Sequence, residues 1–166
     1  MSANPATTSD LHIRTATPAD IPEILRQRRA MYEDMSYEDM RYRDADTLTA
    51  MVSASAVYLT KAMAEGSFRA WLASVDSLIV AGGAIIVSPW LAHPYDLECR
   101  RATILNVYTD RDYRRRGIAR QLLEAMIGWC RHEGFARVDL HASTDGRHLY
   151  ESLGFEPSNE MRLKLK

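Results

Sequence analysis

Asn106-Val-Tyr-Thr-Asp-Arg-Asp-Tyr-Arg-Arg-Arg-Gly-Ile-Ala119 is the stretch on which the fold turns. The residues leading into it, Ala102–Thr109, are rich in apolar and β-branched types and read as a strand. Those after Gly117 place Ile118, Leu122, Met126 and Trp129 on one face, which predicts an amphipathic helix from Ile118 to Glu133. Gly134 ends it. A strand therefore enters a basic turn, and a helix opens at once. Such a turn lets successive backbone N–H groups converge, and the helix end adds positive partial charge. Together they form a cradle for a phosphate-like anion. Gly117 permits an unusual φ or a close approach, and the small Ala119 leaves the helix start unobstructed. Arg111, Arg114, Arg115, Arg116 and Arg120 add a positive field. An arginine run alone is usually a solvated surface; the strand before it and the helix after it favour the anion site. The Gly-Lys-Ser/Thr of a Walker loop and the glycine triad of a dinucleotide fold are both missing.

Outward from this stretch, Arg137–Ser143 reads as a second strand. A strand–helix–strand block of this length implies parallel pairing with a right-handed crossover. Gly146–Leu153 reads as a helix and Met161–Leu165 as a closing strand. Toward the N-terminus, Ser67–Val75 and Leu78–Val87 flank Asp76-Ser77, the mark of a tight antiparallel hairpin. Gly82-Gly83 within it predicts a bulge or a close backbone approach. Leu11–Thr15 is a short strand. Thr17-Pro18-Ala19-Asp20 starts a helix carrying Ile21, Ile24, Leu25, Met31 and Met35. A second helix begins near Asp46 and ends by Gly66. Residues 88–101 carry two prolines and form a long loop. The order predicts an α/β (α+β) mixed, twisted sheet flanked by helices. Residues 1–10 read as a flexible tail and 11–166 as one domain.

The 166 residues suit one core. With 21 Lys plus Arg against 22 Asp plus Glu, the net charge of −1 argues against a nucleic-acid binder. No apolar run reaches the ~18 residues of a membrane helix, and the polar start shows no secretory signal. Two cysteines, Cys99 and Cys130, suit a reducing cytoplasm. Five scattered histidines give no metal-binding pair.

Arg114-x-x-Gly117-x-Ala119, the preceding Ile-Leu-Asn-Val-Tyr-Thr109 and the later Leu149-Tyr-Glu-Ser-Leu-Gly-Phe155 resemble the acyl-CoA loop, fourth strand and last helix of the GNAT N-acetyltransferases. The likeness runs over nearly the whole chain. It implies acetyl-CoA as co-substrate, a primary amine on a small molecule or peptide as acceptor, and direct transfer in a ternary complex. It implies that the fourth and fifth strands splay apart. Backbone groups of Val107, Tyr108 and Thr109 would then hold the pantetheine arm. Arg114, Arg115, Arg116, Gly117, Ile118, Ala119 and Arg120 would hold the pyrophosphate, mainly through main-chain N–H. Tyr150 stands where the family carries its general acid. Ser143 falls where the family often has Asn, so one cofactor contact changes character. A homodimer joined through sheet edges is also compatible with the family.

The amine must lose a proton before attack. Asp139, His141 and Ser143 alternate onto one face of the fifth strand. Some family members that acetylate protein N-termini carry a glutamate on this strand, and with a one-residue shortening the resemblance puts Asp139 in its place as candidate base, with His141, Glu98 and a water chain as alternatives. For the acceptor, Tyr32, Glu33 and Tyr37, with Asp34, Glu38, Asp39 and Tyr42, suit a cationic amine through charge and cation–π contact. Trp90, His93 and Tyr95 would form an opposite wall. A non-catalytic CoA-binding sensor of the same fold is the rival expectation.

Overall fold

The computed structural model describes residues 11–34 and 44–165. The expected tail, and Tyr37, Glu38, Asp39 and Tyr42, lie outside the described residues. In chain order the elements are β1 (His12–Thr15), α1 (Ile21–Asp34), α2 (Ala45–Glu65), β2 (Phe68–Val75), β3 (Leu78–Pro89), β4 (Arg100–Thr109), α3 (Ile118–His132), β5 (Val138–Leu140) and α4 (Arg147–Ser152).

Local chemistry sets the ends of these elements. A short 3₁₀ turn, Pro18–Asp20, leads into α1. There the Thr17 N–H donates to the Asp20 carboxylate at 2.8 Å, and Arg14 clasps the same carboxylate through two nitrogens. Asp44 caps α2 by accepting from the Thr47 N–H, and Gly66 closes it at φ 75°. Asp76 and Ser77 both take positive φ, 49° and 67°, as a two-residue hairpin turn between right-twisted strands requires.

The sheet order is β1-β2-β3-β4-β5. All neighbours are antiparallel except β4 and β5, which are parallel. Alternation along the strands sends side chains to two cores. On one face Trp71, Ala73, Ile85 and Ile104 pack with Leu122, Leu123 and Met126 of α3. On the other Ala70, Leu72 and Ala84 pack with Ile24 and Leu25 of α1 and Leu59 and Ala62 of α2. Leu122, Leu123 and Met126 are wholly buried. Each such side chain contributes about 1.5–3 kcal/mol by leaving water, which pins α3 to the sheet.

Gly82 and Gly83 let both helix layers close on β3. A Cβ on Gly82 would meet Gln27 Oε1 of α1 at 2.1 Å, and one on Gly83 would meet Met126 Sδ of α3 at 2.9 Å. The register also slips here: Ala84 pairs with Leu105 but Gly82 with Tyr108. β4 thus holds an extra residue, and Asn106 takes φ 55°.

Two expectations change. β5 is shorter than Arg137–Ser143, and Met161–Leu165 forms no strand, leaving Met161, Leu163 and Leu165 exposed. Their alternation is strand-like, but no core lies under it.

Candidate active site

β5 pairs with β4 only through Ala102↔Val138, Thr103↔Asp139 and Ile104↔Leu140. From Leu105 to Thr109, β4 has no strand on that edge among the described residues, so a wedge opens between the two. The bulge redirects the side chains beside it. Ala102, Ile104 and Val107 face the α3 core, while Leu105 packs with the α1–α2 core. Asn106 then turns to the same side as Leu105, where its Oδ1 accepts from Arg28 Nη1 at 2.6 Å. Two consecutive residues share a face because one is inserted.

At its far end the wedge meets the expected cradle. Arg115 and Gly117 both adopt left-handed φ, 60° and 77°. Nothing lies within 4 Å of a Cβ built on Gly117, so φ alone calls for glycine there. The first main-chain bond of α3 runs from the Gln121 N–H to the Gly117 carbonyl at 3.2 Å. Among the described residues, the N–H groups of Arg115–Arg120 have no backbone acceptor, so they face outward as a nest. The Thr109 hydroxyl is buried without a partner. These unmet groups fit an acyl-CoA pyrophosphate and its arm.

Most arginine side chains of the turn are already engaged. Arg111 and Arg114 both bind the Asp34 carboxylate at the end of α1. Arg114 Nε also donates to the Thr109 carbonyl at 2.9 Å. Arg116 donates to the Asp112 carbonyl at 2.8 Å, and Arg120 to Ser152 Oγ at 2.5 Å. Arg115 alone of the five has no side-chain partner among the described residues. The turn therefore presents main-chain donors, stiffened by its side chains.

Tyr150 lies on α4, half-buried against the α3 core, with its ring edge-on to Phe155. Burial raises its phenol pKa, so the hydroxyl holds its proton at neutral pH. Its hydroxyl has no hydrogen bond among the described residues. Gly146 is kept small by this ring, which a Cβ would meet at 2.8 Å. Ser143 Oγ accepts from the Gly146 N–H at 3.1 Å, so this residue holds the turn into α4.

The three side chains considered as bases do not gather at the wedge. Asp139 accepts from Arg101 Nε at 2.8 Å in the paired part of the sheet, with Arg137 at 3.7 Å. His141 Nδ1 lies 3.0 Å from Arg162 Nη2. Glu98 precedes β4, at the opposite end from the bulge, where its N–H donates to Asp96 Oδ1. Trp90, His93 and Tyr95 line a cavity at that same end, with Arg100 and Arg137, rather than a wall of the wedge.

The acidic acceptor surface is also altered. Glu33 pairs with Arg29 at 2.8 Å, and Asp34 is held ionised below its usual range by Arg111 and then Arg114. Tyr32 stacks beneath the Arg28 guanidinium, 5.2 Å from its ring centre. Sequence reasoning passed over Arg28. The available signal was its position: the apolar stripe Ile21, Ile24, Leu25, Met31 calls for an apolar residue there.

A profile described as the Acetyltransferase (GNAT) family matches residues 27–155. The chain belongs to this family. A GCN5-related N-acetyltransferase from Ralstonia eutropha JMP134 superposes with a TM-score of 0.83 at 30% identity, covering 93% of this chain and 98% of that one. A predicted acetyltransferase from Clostridium acetobutylicum, solved with acetyl-CoA, gives 0.77 at 22% identity over 94% and 96%. A ribosomal-protein-alanine N-acetyltransferase from Brucella melitensis biovar Abortus 2308 gives 0.65 at 19% over 94% and 98%. The last two share the fold. No curated protein is a detectable sequence relative. No described helix is long and apolar enough to cross a membrane, and no described cluster suits a metal ion.

Proposed function

We propose that the protein transfers an acetyl group from acetyl-CoA directly to a primary amine. The observation that carries this reading is the unpaired half of β4 leading into the outward-facing N–H groups of Arg115–Arg120. Acetyl-CoA supplies an activated acyl carbon, whose C–S bond breaks as the amine nitrogen forms the C–N bond. The main chain of the cradle holds the pyrophosphate. Backbone groups of Val107, Tyr108 and Thr109 hold the arm and steady the developing oxyanion. The Tyr150 hydroxyl gives its proton to the departing sulfur, a task suited to a phenol kept neutral by burial. With Asp139 and His141 engaged by arginines, water takes the proton from the amine.

That same engagement favours one other reading, a module that binds CoA without turnover. A thiol-release assay with acetyl-CoA across a panel of amines separates the two. Amine-dependent release that collapses in Tyr150→Phe is expected. Calorimetric CoA binding with no release from any amine would favour the binding module.

A further inference from the structure

The charges around the wedge do not cancel evenly. On α1, Glu23 binds Arg26, Glu33 binds Arg29, and Asp34 binds Arg111 and Arg114. Arg26 also reaches Asp110 at 3.1 Å. Arg28 is the exception. Among the described residues no carboxylate pairs with it. Its Nη1 is spent on the neutral Asn106 amide, its Nε is buried without a partner, and its flat face rests on Tyr32. A half-buried guanidinium with no counter-charge is costly unless something completes it. It sits on the sheet-facing stripe of α1, at the bulge where the wedge begins, and is held there by a hydrogen bond and a ring. A fixed, planar cation of this kind matches a carboxylate, which can take two of its N–H groups.

We propose that Arg28 binds a carboxylate of the acceptor, so that the acceptor is an amino acid whose acid group lies close to the reacting amine. This rests on the wedge being the transfer site. It replaces a purely cationic acceptor with a zwitterionic one, because the described acids of α1 are already neutralised. Asn106 then serves two neighbours: its backbone shapes the bulge, and its side chain aims Arg28.

The test measures kcat/KM by thiol release for free amino acids, each beside its own carboxamide, with wild type, Arg28→Gln and Arg28→Lys. For the acceptor it uses, wild type should favour the free acid about 10- to 100-fold, as expected for charge-assisted hydrogen bonds. Arg28→Gln should bring the acid-to-amide ratio close to one. Arg28→Lys should keep part of it, because the charge stays while the planar fork is lost. Calorimetric CoA affinity should be unchanged in both variants. Equal use of acid and carboxamide by wild type overturns the proposal and leaves the transferase reading standing. So does an Arg28→Gln loss that is the same for both acceptors. CoA binding without release from any acceptor overturns both together.

Discussion

β4 is paired on both edges from Ala102 to Ile104 and on one edge alone from Leu105 to Thr109. At the paired end most side chains satisfy one another, although the Arg100 Nε is buried without a partner. Arg101 meets Asp139 and Glu160 and stacks on Trp90 at 4.8 Å. At the open end lie the Thr109 hydroxyl and the Arg28 Nε, also unpartnered, beside the N–H groups entering α3. One strand thus has a paired end and an open end, divided by a single inserted residue. Unsatisfied buried polar atoms are rare in folded proteins, and each calls for an explanation.

The largest expected effect belongs to the open end. Tyr150→Phe should lower kcat about 10²–10⁴-fold while leaving CoA affinity intact. Because burial raises the Tyr150 pKa, the loss of activity as this phenol ionises should fall above pH ~10 in wild type, and that limb should vanish in the variant. A pH–rate profile of both proteins checks this. An unchanged kcat would remove Tyr150 from the chemistry. Next comes the seat of α1. Gly82→Val would push Gln27 and α1 off β3, costing about 2–3 kcal/mol as overpacking does. A chain of this size should lose roughly 5–10 °C in Tm, read by calorimetry. A smaller shift would mean that Gln27 simply swings aside.

The turn into α3 was legible because its signals are local. Gly117, the basic run and the apolar period of α3 lie within a few turns of chain, and so does the hairpin at Asp76-Ser77. The paired arginines were not legible, since Asp34 and Arg111 stand 77 residues apart. Asp34 looked free for the same reason, since its partners arrive from the turn after β4, whereas Glu33 is met by Arg29 of its own helix. Arg28 was visible only as a break in an apolar stripe, a mark that also fits a surface residue. The end of β5 and the supposed strand at Met161–Leu165 show the converse. Period-two patterning was present, but no neighbouring strand was there to pair with it.

Asp34 links the halves of this comparison, since it ties α1 to the cradle. Its carboxylate pKa is lowered first by the Arg111 hydrogen bond, with Arg114 adding to it against burial. A depressed carboxylate stabilises the fold above its unfolded pKa, about 3.9, and loses that contribution as pH falls through the folded value. Asp34→Asn should therefore cost about 1–2 kcal/mol at neutral pH. The gap in Tm between variant and wild type should begin to narrow below roughly pH 4 and close only as pH falls through the lower folded value. Weaker CoA binding should accompany it, because Arg111 and Arg114 would no longer brace the turn. A gap that persists at low pH would show that shape rather than charge is what Asp34 supplies.

The smallest effect is the most instructive, because it concerns a residue the sequence nominates for chemistry. Asp139 faces Thr103 in the paired part of β4 and is bound by Arg101, whose other arm holds Glu160. The place of Asp139 in the paired part of the sheet, with Arg101 at 2.8 Å, keeps it away from the open edge where the amine would react. Asp139→Asn keeps the shape and one acceptor oxygen, and Arg101 retains Glu160. The stability cost should stay near or below about 1 kcal/mol. The drop in kcat should stay under about 10-fold, well short of the 10²–10⁴ expected for losing a general base. A fall as deep as that of Tyr150→Phe would mean that the ion pair opens during turnover. The reading of the paired end of β4 as serving stability alone would then fail at the very residue that marks it.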